Sequence, residues 1–286
     1  MSVAPKLLHQ LVTHAAELQP EAVALSLSGQ VTEYADLAQR MSVFSQGLRS
    51  LGLAGGDRIA IMLPKSADSV AIMLAASAAS LILVPVNPIL RSRQLIHLLR
   101  DSGARLLVTS PDRLTRLGDI AGACPQLEYC LLPDAEADIP EAQGTALQML
   151  GFDDLRQAAT SSAWHDVDSD ATAMLFYTSG STGLPKAVMV THHNLLAGAR
   201  AVVQVHKTDA RERVLALLPL SFDAGFSQLT TAFSAAAEVV LAEHYLATQS
   251  LAAAAEREVT SITGVPPLWQ QLAAVEWPDA LAKSVR

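Results

Sequence analysis

An α/β architecture of layered, mostly parallel sheets flanked by helices is predicted by three features of this 286-residue sequence. Short apolar runs of strand length alternate with helix-length segments nearly throughout. The stretches between successive strands are long enough to hold a crossover helix, which parallel pairing needs and a hairpin does not. Half of the residues are hydrophobic and only 17% are charged, so the chain can bury a large core and does not resemble a disordered polymer.

The elements follow in order. Lys6 to Leu18 reads as a helix, Ala22 to Leu27 as a strand and Gly29-Gln30 as a turn. Thr32 reads as the N-cap of a helix running to Leu51, with Gly52 placed as its C-terminal stop. Asp57 to Leu63 is a strand, and Ser66 caps the next helix. No charged residue occurs from Ser69 to Leu90, a length that could nominate a membrane span. Ser77, Ser80, Pro85, Asn87 and Pro88 interrupt it, and the better parse is a buried helix, Ala67 to Ala79, then a buried strand, Leu81 to Val86. Helix resumes near Ser92 and runs through Gln94 to Arg100, and Leu106 to Val108 is a strand.

Between Pro133 and Asp170 the composition turns acidic and strand patterning fades, which reads as a mostly exposed connection. Asp153-Asp154 within it lacks the glycine and ligand spacing of a metal loop and reads as a solvated face. Alternation then returns. Ala173 to Tyr177 and Ala187 to Val190 are strands on either side of a loop, and Thr191 is placed to cap a helix from Asn194 to Val205. Strands at Val214 to Leu218, Val239 to Leu241 and Ser261 to Thr263 alternate with helices at Phe226 to Ala236, Thr248 to Glu258 and Pro266 to Val275. The organisation expected is a first α/β part over residues 1–165, with the acidic connection from about 133, and a second over 166–286.

Composition narrows the function. A net charge of −8 without any basic run argues against nucleic acid as a partner. Cys124 and Cys130 fit neither a redox pair nor a zinc knuckle and read as inert thiols in a reducing cytosol. Met1 to Gln10 has no export pattern, so a cytoplasmic location is expected. His192 and His193 are adjacent and point in different directions, which is poor metal-site geometry, and no metal ligands are assigned.

The loop between the two central strands is the most informative stretch. Thr178-Ser179-Gly180-Ser181-Thr182-Gly183-Leu184-Pro185-Lys186 combines small residues, hydroxyls and one lysine. Small residues let backbone N–H groups approach a polyphosphate closely, hydroxyls add donors and the lysine adds charge. It is not the P-loop of the NTPases, because Pro185 precedes the lysine, Ala187 follows it and the loop joins strand to strand.

From Tyr177 through Lys186, and again at Thr191-His192, the sequence closely resembles the signature of the adenylate-forming enzymes, which include acyl-CoA synthetases, peptide-synthetase adenylation domains and luciferases. It departs at Ala187, where that family usually has glycine. Gly56 to Pro64, Val84 to Pro88, Asp101 to Arg105, Leu218 to Asp223 and Gly264 to Pro267 are similar to further family segments in the same order. The stretch Ser221 to Phe233 also resembles a bacterial acyl-CoA ligase subgroup associated with exosortase systems.

The resemblance implies an incomplete N-terminal domain of the adenylate-forming fold, without the small C-terminal lid domain. It implies ATP and Mg²⁺ as cofactors, with Thr178, Ser179, Gly180, Ser181, Thr182, Gly183 and Lys186 on the β- and γ-phosphates. A carboxylic acid would attack the α-phosphate, giving an acyl-adenylate and pyrophosphate, and a thiol of CoA or a carrier protein would then take the acyl group. Phe222 and Asp223 fall where peptide-synthetase domains pair an aspartate with the substrate's α-amino group, while a surface aspartate or helix N-cap is the other reading of Asp223. Family regions that hold adenosine and complete adenylation have no counterpart up to Arg286, so no catalytic residue is assigned. The chain is expected to be inactive alone, with a downstream polypeptide as a possible partner. The competing expectation is a non-catalytic nucleotide-binding or interaction protein derived from the same fold.

Overall fold

Two sheets carry the fold, and each gathers strands that are distant in sequence. The computed structural model describes residues 4–133, 147–159, 167–178, 185–242 and 246–285. In chain order they form α1 (Gln10–Leu18), β1 (Val23–Leu27), β2 (Gln30–Glu33), α2 (Tyr34–Ser50), β3 (Arg58–Met62), α3 (Ala67–Ala78), β4 (Ile82–Pro85) and α4 (Ser92–Ser102). Next come β5 (Leu106–Thr109), α5 (Pro111–Leu117), α6 (Ile120–Ala123), β6 (Tyr129–Leu132), β7 (Gln148–Gly151), α7 (Phe152–Ala158) and β8 (Thr172–Thr178). The last are β9 (Lys186–Thr191), α8 (His192–His206), β10 (Arg213–Ala216), α9 (Asp223–Ser234), β11 (Glu238–Leu241), α10 (Ala247–Glu256), β12 (Ser261–Ile262), α11 (Pro266–Ala273) and α12 (Asp279–Ser284).

The chain divides into two compact units, one of Met1–Ala38, Lys65–Ala67 and His193–Arg286, the other of Gln39–Pro64 and Asp68–His192. In the first unit the strand order is β12-β10-β11-β1-β2, parallel except for the β1–β2 hairpin. Leu215, Val240, Leu251, Val259, Leu268 and Leu272 form a core in which α10 and α11 cover this sheet. Tyr34 is fully buried, meets Phe233 edge-on at 6.0 Å and donates its hydroxyl to the Ala237 carbonyl at 2.7 Å. That one hydrogen bond satisfies a phenol that burial would otherwise leave without a partner.

In the second unit the order is β7-β6-β5-β3-β4-β8-β9, parallel throughout except that β9 runs antiparallel to β8. Strand residues alternate across a sheet, so Ala60, Leu107, Cys130 and Leu175 share one face and pack with Leu95 and Leu99 of α4. Ile59, Ile61, Leu83 and Met174 point the other way and are buried too. Burial on both faces explains why these strands read as continuous apolar runs. α3 is buried along nearly all its length, which accounts for the charge-free stretch. Among the described residues no helix is long and apolar enough to cross a membrane.

The α/β class and the alternation hold, with three corrections. Thr32 does not cap a helix. Ser28 and Gly29 adopt positive φ (49° and 80°), and the chain folds back so that Thr32 pairs with Leu25. Positive φ at both turn residues gives the two-residue hairpin twist that matches paired strands. The helix starts two residues later, at Tyr34. The acidic connection contains structure as well: β7 pairs with β6, and α7 follows. Asp154 accepts from the Gly151 N–H at 2.7 Å and Asp153 pairs with Arg156 at 2.6 Å, so the carboxylates serve the helix start. Finally α5, α6 and β6 fill the stretch between Thr109 and Pro133, to which the sequence pattern assigns no element.

Two helical glycines give a test of this packing. A Cβ on Gly47 of α2 would lie 2.5 Å from the Leu155 carbonyl oxygen of α7, beside the Phe44–Phe152 ring contact at 4.8 Å. Gly198 of α8 has nothing within 4 Å of that position. Gly47→Ala is expected to destabilise by about 1–3 kcal/mol through overpacking. Gly198→Ala is expected to stabilise by about 0.5–1 kcal/mol through helix propensity. Urea denaturation of the two variants should therefore show shifts of opposite sign.

Candidate functional site

β8 and β9 build the base of the lysine-containing loop. Their register places Thr178 directly opposite Lys186, Tyr177 opposite Ala187 and Phe176 opposite Val188. Strand therefore leaves and returns at one point, with an exposed hydroxyl residue facing an exposed lysine. Ser179, Gly180, Ser181, Thr182 and Gly183 lie outside the described residues. Ala187 packs with Tyr177 against the core under α4, so the methyl that departs from the family's glycine is used in packing.

α4 touches both flanks of this base. Tyr177 donates its hydroxyl to Asp101 Oδ2 at 2.6 Å, with the Leu98 carbonyl at 3.5 Å. Burial, then Asp101, raises the Tyr177 pKa, so the phenol stays protonated and donating. On the other flank His97 Nε2 lies 3.1 Å from the Pro185 carbonyl oxygen. A carbonyl can only accept, so Nε2 carries the hydrogen.

Phe222 and Asp223 belong to the other unit. Phe222 occupies the N-cap position of α9 in extended conformation, and its carbonyl accepts from the N–H groups of Gly225 and Phe226 at 3.0 and 2.9 Å. Asp223 is the first helical residue and is exposed, where a carboxylate complements the partial positive charge of the helix start. A Cβ on Gly225 would overlap the Pro219 carbonyl, so this turn tolerates only glycine there. The Ser221 hydroxyl and Gln228 Oε1 are buried without hydrogen-bond partners among the described residues, while Gln228 Nε2 donates to the Leu215 carbonyl at 2.8 Å.

The sequence profile of the AMP-binding enzymes matches residues 12–286. The chain belongs to the AMP-binding enzyme family. A feruloyl-CoA synthase from Amycolatopsis sp is 30% identical over 274 residues, covering 95% of this chain and 51% of that protein. Tyrocidine synthase 3 from Brevibacillus parabrevis is 28% identical over 276 residues, which are 96% of this chain and 4% of that one. Among solved structures, the anthranilate CoA ligase AuaEII in complex with anthranoyl-AMP superposes with a TM-score of 0.87 at 20% identity, covering all of this chain and 55% of that one. MbtA of Mycobacterium smegmatis, without ligand, gives 0.82 at 25% identity, over 94% and 50% of the two chains. This AMP-binding chain thus spans about half the length of the feruloyl-CoA synthase it matches.

Sequence reasoning missed Lys65. Its ammonium donates to the carbonyls of Ala216 and Ala242 at 2.6 and 2.7 Å, joining the C-terminal ends of β10 and β11. It also lines a cavity of about 430 Å³ with Ser28, Leu241, Gln249, Ser250 and Arg257. None of the residues assigned from the family motifs lies there, and Arg257 already pairs with Glu238 at 2.6 Å. Cys124 and Cys130 are free and buried, and burial pushes the Cys130 thiol up to about 12, so both are poor nucleophiles.

The paired histidines separate as expected from adjacency: His192 is 2% exposed, whereas His193 faces solvent. Burial holds His192 at about 4, below its ordinary 6.5. Between those values the unfolded chain binds the extra proton, so this contribution is complete above about pH 6.5 and is lost as pH falls toward 4. Its size is at most about 3 kcal/mol. Denaturation midpoints measured from pH 7 to pH 4 should fall, and His192→Gln should flatten that slope. Gly225→Ala should cost about 1–3 kcal/mol by overpacking the turn that carries Phe222 and Asp223, read as a lowered thermal midpoint.

Proposed function

We propose that the chain is the phosphate-handling portion of an AMP-forming ligase. It would bind MgATP for activation of a carboxylic acid to an acyl-adenylate, followed by transfer of the acyl group to a thiol of CoA or a carrier protein. The observation that carries the reading is the Thr178–Lys186 register, which puts a hydroxyl and an ammonium at the mouth of a loop bearing the family's phosphate signature. A cation and hydroxyl donors suit a polyphosphate, and Mg²⁺ would arrive on the phosphates, as it commonly does with few protein ligands.

In this reading the Lys186 ammonium, with Thr178, Ser179, Gly180, Ser181, Thr182 and Gly183, holds the β- and γ-phosphates. Carboxylate attack forms the new bond to the α-phosphorus and releases pyrophosphate, so charge on the departing group is what these donors stabilise. Phe222 and Asp223 form part of the acid pocket, with Asp223 as the counter-charge for a substrate ammonium. Groups that complete adenylation would come from regions corresponding to the half of the relatives this chain does not cover, on the same polypeptide or a separate one. A cytoplasmic setting fits the supply of ATP and free thiols.

Calorimetric titration with MgATP tests the reading. Saturable binding is expected, and Lys186→Ala should weaken it about tenfold or more, the scale of a charge-assisted hydrogen bond. Lys186 is exposed, so the thermal midpoint should not move. Absence of heat from a folded chain would refute phosphate binding and leave a non-catalytic interaction protein as the better account.

A further inference from the structure

The base of the phosphate loop is held by more than its own strands. We propose that His97 and Asp101, one turn apart on α4, are positioning residues that clamp the two strand ends carrying Thr178 and Lys186. The inference rests on the phosphate-binding role proposed for that pair.

Residues four apart on a helix share a face, and here each reaches a different flank of the hairpin. Asp101 takes the Tyr177 hydroxyl at 2.6 Å, on the residue before Thr178. His97 holds the Pro185 carbonyl at 3.1 Å, on the residue before Lys186. Pro185 has no N–H, so its carbonyl is its one main-chain polar group. That carbonyl shares a rigid peptide plane with the Lys186 nitrogen. Fixing the carbonyl therefore fixes the orientation in which the chain enters Lys186.

The helix is a firm support for this. Leu95, Leu98 and Leu99 bury one side of it in the core. Gly103 ends it in a left-handed conformation (φ 62°), its N–H donating to the helix's last carbonyls. The outermost pair of an antiparallel ladder is where fraying begins, and Thr178–Lys186 is that pair. Two side-chain hydrogen bonds from one helix, one just inside this pair at Tyr177 and one just beyond it at Pro185, would hold the ammonium and hydroxyl at a constant separation before any phosphate arrives. Pre-ordering of this kind raises affinity without adding a contact to the ligand.

The test titrates the chain with MgATP and with magnesium tripolyphosphate. His97→Leu, Asp101→Ala and Tyr177→Phe should each weaken both probes about fivefold, the scale of one net hydrogen bond. Tyr177→Phe with Asp101→Ala should be no worse than either alone, because both remove the same bond. His97→Gln keeps an N–H donor and Asp101→Asn keeps an acceptor, and each should return affinity to within about twofold of the parent. A merely structural role would instead lower thermal stability and leave the affinity of the folded fraction unchanged. Parent-like affinity in His97→Leu and Asp101→Ala, while Lys186→Ala loses binding, would overturn the clamp and leave the phosphate role standing. Failure of the parent chain to bind either probe would overturn both.

Discussion

The neighbourhood of Thr178 and Lys186 in the second unit depends on the antiparallel pairing of β8 with β9. The other strands of that sheet run parallel, and parallel neighbours need long crossovers. One reversed strand at the edge lets a short connection leave and return at a single place, so Thr178 and Lys186, separated by the loop, become direct neighbours. β8 can serve as the anchor because it is sandwiched between β4 and β9 and its apolar residues are buried. β9 takes the exposed position, with Met189 73% accessible at the sheet edge. A hairpin at the sheet edge beside buried parallel strands suits the phosphate loop proposed above.

The first unit solves a comparable problem differently. Its parallel strands end together, and the segment from Leu217 to Asp223 emerges from the end of β10. C-terminal ends of parallel strands are where α/β folds place their working loops. Lys65 ties two of those ends through their carbonyls, and Gly225 lets α9 start tightly against Pro219. Asp223 is an exposed carboxylate at the first helical position, with Phe222 as the N-cap, which matches the surface-aspartate reading; its pairing with a substrate ammonium belongs to the proposed function.

Much of this was legible in the sequence, for physical reasons that differ by element. β8 and β9 were readable because a buried run, small residues and a second run follow one another without interruption. β2 was not, because Thr32 before an amphipathic helix satisfies the N-cap pattern as well as a strand does, and only pairing with β1 decides. β7 and α7 were hidden by the acidic residues around them, one of which, Asp154, caps the helix they seemed to exclude. Lys65 and His97 could not be read at all. Their partners lie 151 and 88 residues away, and no local pattern records a contact made at that distance.

The discontinuous make-up of the first unit has a consequence for how the chain acquires its structure. Ser26 bonds to Glu238 across 212 residues, and β1 has no parallel neighbour until β11 exists. During synthesis the β1–β2 hairpin emerges early, yet an isolated two-stranded hairpin is marginal in water. The whole of residues 39–192 can be made, and its own sheet closed, while that hairpin waits on the ribosome's later output. β1 is therefore translated well before its parallel neighbour β11 and is locked only once that strand exists. Its apolar residues are open to chaperones or to misassociation over the interval between the two strands.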